Sequence, residues 1–349
     1  MKKKVLLVGL ALVLALSSLL MACAEPAPAT PPTPAQPILL RMVTDWPPGG
    51  RTELVQKAFI DEVVNRTDGK VKIEMYPGSQ LITADEHPDA ISSGIVDMAV
   101  TQLSEAWPTI VPEFTILGIS IFDNSAHAFR ALDGPLGAML AEALEEKANT
   151  KLLNWTTAGD VDAMGCVTKQ IKTPDDLRGL TLRVSSQADA ASLEALGGVG
   201  EIIAGPEMYL ALQRGTVDGV FITSTRGVEV SKAYEVCKYW TRIPIVVGAQ
   251  FGMVINLDRW NSLPSDIQQI LIEVAQETRE VMLTELEAGG DKAWAEQMTA
   301  YPGMQIYQVP DEEIPLWKDL MLPVRLKLLE EAVPADVAQQ MLDWLVEAR

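Results

Sequence analysis

Histidine is nearly missing from this 349-residue chain: His87 and His127 are the only two, far apart and without neighbours at metal-ligand spacing. That scarcity removes the usual zinc sites and histidine-based acid–base machinery. No Gly-x-Ser-x-Gly elbow and no P-loop occurs. Cysteine is scarce too, at Cys23, Cys166 and Cys237, which excludes a disulfide scaffold. Cys166 and Cys237 are left as either one disulfide or two buried thiols. Basic residues are in deficit, 28 Lys and Arg against 47 Asp and Glu, for a net charge of −19. A chain this acidic is a poor partner for nucleic acid or for anionic lipid surfaces.

What is present at the start is a leader. Lys2, Lys3 and Lys4 precede an apolar run from Val5 to Leu20, shorter than a spanning helix prefers. Leu20-Met-Ala-Cys23 then resembles the lipobox of bacterial lipoproteins, which implies cleavage after residue 22 and lipid attached at Cys23. The alternative is an uncleaved anchor helix. Residues 23–37 are rich in Pro and Ala and read as a semi-rigid tether. The folded part is expected outside the cytoplasm, held to the membrane by the lipid.

From Ile38 onward strand-like and helix-like stretches alternate, the pattern of an α/β fold. Strands are expected at Leu39–Thr44, Lys70–Tyr76, Met98–Thr101, Lys151–Thr157, Gly219–Ile222 and Phe251–Ile255. Helical spacing marks Thr52–Asn65, a long stretch from Ser265 to about Thr299 with a bend at Gly289-Gly290, and Pro315–Ala348 with interruptions at Pro323 and Pro334. There is an internal echo: Gly94-Ile-Val-Asp97 and Gly215-Thr-Val-Asp218 each close a helix and enter a short strand. It suggests two α/β lobes built alike, the alternative being that helix–Gly–strand turns are simply common, and Asp97 and Asp218 read as turn-fixing.

The stretch Lys172-Thr-Pro-Asp-Asp-Leu-Arg-Gly-Leu-Thr-Leu-Arg-Val184 carries the sharpest chemistry. Thr173 suits an N-cap, Pro174 the first helical position, and Gly179 the stop. In the strand after it Leu180, Leu182 and Val184 share one face, and Thr181 and Arg183 the other. Arg183 therefore stands near the carboxyl end of its strand, where open α/β sheets bind ligands, and a guanidinium there can grip a carboxylate. A structural ion pair with the other lobe, or a solvated edge position, are the alternatives.

That stretch, Tyr76-Pro-Gly-Ser-Gln-Leu81, Gly94-Ile-Val-Asp-Met98, Glu207-Met-Tyr-Leu-Ala-Leu-Gln213, Gly215-Thr-Val-Asp-Gly219 and Trp260-Asn-Ser-Leu-Pro-Ser-Asp-Ile-Gln268 occur in an order that resembles the DctP family, the extracytoplasmic solute-binding proteins of TRAP transporters. The resemblance runs from about Ile38 to the C-terminus. It implies a periplasmic-binding-protein-like fold of type II, with two similar lobes, a cleft between them and a long helix spanning both. The expected division is 38–160 with about 248–285 for lobe I, and 161–247 with about 286–349 for lobe II. It implies Arg183 as the substrate's carboxylate clamp and Na⁺-driven membrane subunits of a TRAP transporter as partners; with the motifs above missing, no cofactor or metal is expected.

Around Arg183 the expected ligand-binding set is Asp45, Trp46, Gln80, Gln102, Trp155, Phe221 and Thr223. Trp46, Trp107 and Trp155 could wall a pocket or simply pack. Where sialic-acid-type members have a second arginine, a stacking aromatic and an asparagine, this chain has about Ala163, Gly205 and Ile222. Sialic acid is therefore not the expected ligand; a small organic acid in a roomier apolar pocket is, such as an aromatic or branched monocarboxylate. The expected protein is a monomeric receptor. The alternatives are an enzyme reusing the two-lobe fold, or a binding protein serving an ABC transporter or a sensor.

Overall fold

The computed structural model describes residues 36–44, 46, 48, 51–119, 122, 125–157, 161–222, 232–246 and 251–349. Cys23, Asp45 and Thr223 lie outside the described residues. Two sheets organise the rest. The first holds β1 (Ile38–Thr44), β2 (Val71–Tyr76), β3 (Met98–Gln102), β4 (Thr150–Thr156) and β10 (Phe251–Asn256), in the order β2-β1-β3-β10-β4. The second holds β5 (Val161–Cys166), β6 (Thr181–Val184), β7 (Val199–Ile202), β8 (Gly219–Ile222), β9 (Tyr239–Val246) and β11 (Gln305–Gln308), in the order β11-β9-β5-β8-β6-β7.

Read from opposite ends, the first sheet's five-strand order recurs in the second, which adds β11 at one edge. β1 runs parallel to β2 and β3, with β10 antiparallel between β3 and β4. β6 runs parallel to β7 and β8, with β5 antiparallel to β8 and β9. Parallel neighbours need crossovers. The first lobe uses α1 (Arg51–Arg66) and α2 (His87–Ser92), and it adds α3 (Thr115–Gly118), α4 (Ser125–Leu132) and α5 (Pro135–Ala148). The second uses α6 (Gln187–Ala195) and α7 (Met208–Arg214).

Periodicity explains which faces are buried. In α1 the one-turn spacing of Val55, Phe59 and Val63 puts all three under the sheet, each at most 4% exposed. In β2 Val71 and Ile73 are buried while Lys72 and Glu74 face solvent. The echoed glycines cap their helices in the left-handed region, Gly94 at φ 75° and Gly215 at φ 70°. The aspartates that follow make matching clips. Asp97 donates its amide to Arg41 O and accepts from Arg41 N at 2.7 Å. Asp218 does the same to Thr181, accepting at 2.8 Å.

Three more helices complete the chain after α8 (Leu257–Asn261). α9 (Ser265–Ala300) has 36 residues, so at 1.5 Å per residue it is about 54 Å long. Ile267, Leu271, Val274 and Ala275 pack it on the first lobe, and its far end leads into β11 of the second sheet. The helix is continuous through Gly289-Gly290, where a bend is expected. α10 (Ile314–Ala332) likewise runs through Pro323, which was expected to interrupt it. An interior proline forfeits one backbone hydrogen bond, and burial of Trp317, Met321 and Leu329 on either side offsets that loss. Pro334 does end a helix.

α11 (Ala335–Glu347) departs from the expected division. Its Ala338, Met341 and Leu345 sit in the first lobe's core, and His127 Nε2 donates to the Leu345 carbonyl at 2.8 Å. Residues 286–349 are thus shared: β11 and the first half of α10 pack with the second lobe, and α11 returns to the first. Cys166 and Cys237 are free buried thiols in separate clusters of the second lobe. Among the described residues no helix is long and apolar enough to cross a membrane.

Candidate functional site

Arg183 is placed by its neighbours on both sides. Asp176 Oδ2 accepts from the Lys172 and Thr173 amides at 2.9 and 3.0 Å, which builds the capped turn. Gly179 turns the chain at φ 76°, and the Asp218 clip fixes Thr181 at the start of β6. Leu182 and Val184 drop into the core beneath, so Arg183 faces the opposite side. It is 8% exposed. Nε donates to Ile203 O at 2.8 Å, and among the described residues Arg183 forms no ion pair.

Burial pushes the Arg183 pKa down, and the charges of Glu105 and Asp189 oppose that shift. Glu105 follows β3 in the first lobe, so the electrostatic environment of this cation draws on both lobes. A buried guanidinium whose terminal nitrogens meet no carboxylate among the described residues is poised for an anionic ligand.

On the first-lobe side, three expected residues come together at the carboxyl ends of β1 and β3. Gln102 stands opposite Phe251 in the ladder, and the Trp46 ring lies against Phe251 with centroids 5.0 Å apart. The turn leading to Gln80 is tied to the same place, since Gly78 N donates to Trp46 O at 2.9 Å and Ser79 N to Thr44 O at 3.3 Å. The Gln80 side chain itself is exposed. Gln102 Nε2 donates to Ser104 Oγ at 3.2 Å.

Two expected residues are core instead. Trp155 packs edge-on against Phe114 with centroids 6.2 Å apart, and Phe221 is 2% exposed inside the second core. Trp107 is buried as well, donating Nε1 to Thr101 Oγ1 at 3.3 Å. Strand alternation sends these rings inward beneath covering helices. Asp45 and Thr223 fall outside the described residues.

The structure also brings in residues that the sequence reading passed over. Phe251 is the ring that Trp46 meets. Arg242 stands opposite Ala163 in the β5–β9 ladder, on the sheet face that carries Arg183 and Trp240. A strand-to-strand register count from Gly165 could have found it. At Gly205 an added Cβ would meet nothing within 4 Å. Among the described residues no group of three or more His, Cys, Asp or Glu side chains could hold a metal ion.

Residues 43–332 match the bacterial extracellular solute-binding proteins, family 7 (DctP). The chain belongs to this family. Its members are extracytoplasmic solute-binding proteins of transport systems. The C4-dicarboxylate-binding periplasmic protein DctP of Rhodobacter capsulatus is 27% identical over 306 residues, covering 86% of this chain and 89% of that protein. The 2,3-diketo-L-gulonate-binding periplasmic protein YiaO of Escherichia coli is 28% identical over 232 residues, covering 64% and 67%. A TRAP periplasmic solute-binding protein of Chromohalobacter salexigens with bound D-glucuronate has the same fold, with a TM-score of 0.80 at 23% identity over 89% of this chain and 100% of that one. Another from Desulfovibrio desulfuricans, with bound sn-glycerol-3-phosphate, gives 0.80 at 23% over 89% and 97%. The two-lobe solute-binding fold is thus the fold of this chain.

Proposed function

We propose that this family 7 protein captures a small organic carboxylate between its lobes and delivers it to the membrane subunits of a TRAP transporter. The observation that carries the reading is Arg183, a buried guanidinium at the carboxyl end of its strand whose hydrogen-bond partner among the described residues is the Ile203 carbonyl. A carboxylate would offer the fork two acceptor oxygens in matching geometry. Gln102 and Trp46 with Phe251 would bound the ligand from the first lobe, with exposed Gln80 at the rim, and Asp45 and Thr223 stay in the proposed ligand-binding set. Arg242 offers a second cation on the face of Arg183. Trp155 and Phe221 are left out of the site. Relatives named for C4-dicarboxylate and 2,3-diketo-L-gulonate, and solved structures holding D-glucuronate, support an acidic ligand.

The receptor would be monomeric, exported, and lipid-anchored at Cys23 through the tether of residues 23–37. The proposed lobes are 38–160 with 248–285, and 161–247 with 286–334, α11 belonging to the first. A thermal-shift screen against a carboxylate library tests the reading, because a ligand raises apparent stability as its concentration passes Kd. The best hit is then titrated calorimetrically against the parent and Arg183→Ala. Loss of one partner of a buried ion pair costs about 3–5 kcal/mol, roughly two to four decades in affinity. An unchanged Kd would remove Arg183 from the site, and chemical conversion of the hit on long incubation would favour an enzyme. Uptake that collapses with the sodium gradient, yet tolerates ATP depletion, is expected for the TRAP partner.

A further inference from the structure

Arg325 is 1% exposed, at the middle of α10. A guanidinium that deep is tolerated only when its donors are met, and these are met from two lobes. Nε donates to Ser192 Oγ and Nη2 to Asp189 Oδ1 at 3.1 Å, both on α6 of the second lobe. Nη1 donates to the carbonyl of Gly118, at the end of α3 in the first. The helix that carries it also belongs to both: Trp317 and Met321 lie in the second core, and Leu329 lies in the first. Pro323 falls between these anchors, where its missing N–H loosens the helix. The lobes touch at the same place, since a Cβ at Gly118 would rest 3.9 Å from that of Ala188.

Asp189 extends the connection towards the cleft. It also accepts a hydrogen bond from Ser185 Oγ at 3.0 Å, and Ser185 directly follows the strand that holds Arg183.

We propose that Arg325 is an interlobe latch, a positioning residue that sets the resting angle between the lobes and the end of the Arg183 strand. Ser192 and Asp189 travel with the second lobe and keep the guanidinium there. The Gly118 carbonyl travels with the first, and its hydrogen bond survives only a narrow range of distance and angle. Of these three bonds, opening the lobes therefore breaks one at the joint and keeps two. The latch acts in the empty protein, so it stands whether or not Arg183 holds a carboxylate.

The test reads the lobe angle without ligand. Cys166 and Cys237 are buried, so cysteines placed at exposed Asp61 in α1 and Gln213 in α7 can be spin-labelled selectively in the full chain carrying Cys23→Ser. Pulsed electron resonance then gives the distribution of separations. Arg325→Lys keeps the charge but cannot reach Ser192, Asp189 and Gly118 together. It is expected to shift the distribution to longer separations and broaden it, with near-ultraviolet dichroism unchanged. Asp189→Asn keeps the shape and removes the charge; a smaller shift in the same direction is expected, and this variant decides the matter if Arg325→Lys does not fold. Distributions matching the parent in the folded variants, with only a lower Tm, would reduce Arg325 to a packed core cation and overturn the latch.

Discussion

Val43 in the first sheet and Arg183 in the second occupy the same slot of a repeated scaffold. Each lies two positions beyond the residue clipped by its lobe's aspartate, Arg41 by Asp97 and Thr181 by Asp218. Across the first sheet Val43 is in line with Tyr76, Ala99, Val254 and Leu152, an apolar row that packs into the core. Across the second, Arg183 is in line with Glu201, Val220, Gly165 and Trp240. Gly165 is needed there because a Cβ would stand 2.6 Å from the Trp240 ring. The same spacing before each aspartate pairs buried His87 with buried Met208. One lobe shows that the slot is satisfied by valine, so the fold itself makes no demand for arginine in the other.

The largest expected effect comes from transplanting that valine. Arg183→Val should lower affinity for a carboxylate ligand by about 3–5 kcal/mol, as loss of a buried ion-pair partner does, while the urea midpoint holds; calorimetry and denaturation read the two. A variant that cannot fold would break the equivalence of the slots.

Next is acid sensitivity. Burial holds the His87 pKa down to about 4, against about 6.5 for an unperturbed imidazole. The unfolded chain therefore takes up this proton first as pH falls. The stability linked to His87 is fully present above pH 6.5 and is lost progressively down to about pH 4, to a total of about 3 kcal/mol. His87 Nδ1 shares a hydrogen bond of 3.0 Å with Thr101 Oγ1, and its buried Nε2 meets no partner among the described residues. His87→Met, the second lobe's choice, should flatten this part of the stability–pH curve in denaturation series.

The clips come third. Losing a charged acceptor for a backbone amide costs about 1.5–3 kcal/mol, so Asp97→Ala and Asp218→Ala should each lower Tm. Asp97→Ala should do so more, because Arg259 Nε lies 3.3 Å from its other oxygen and loses its partner. Equal losses would say that the arginine contributes nothing. Smallest is Gly165→Ala, about 1–3 kcal/mol from overpacking. Combining it with Trp240→Leu, after Leu152 of the first lobe, should restore much of the loss.

Most strands, and the face on which Arg183 lies, were legible because alternation and left-handed glycines are local signals. The echo of Gly94-Ile-Val-Asp97 and Gly215-Thr-Val-Asp218 held more than it seemed to promise, extending to a shared strand order. The burial of Trp155 and Phe221 was not legible, because alternation tells which face a ring takes but not whether a helix covers that face. Arg325 was invisible because its helix carries other charges, such as exposed Lys327 and half-buried Lys318, and nothing in the sequence separates Arg325 from them. Its partners lie 133, 136 and 207 positions away in sequence. Glu105 and Arg242 were missed likewise, since their relation to Arg183 exists only across strands or lobes. Pro323 misled because packing on both flanks overrides its local preference.

The return of α11 to the first lobe bears on how the chain matures. His127 waits for Leu345, which is 218 positions later. Met341 and Leu345 cover apolar surface that the earlier helices leave open. A chain threaded through a membrane amino end first would therefore emerge with its leading lobe unsealed. It could not harden into its final form until residues 335–347 had followed. Premature folding on the wrong side is discouraged by the same arrangement, and cutting those residues away should release the leading lobe to proteases while the trailing one keeps its core.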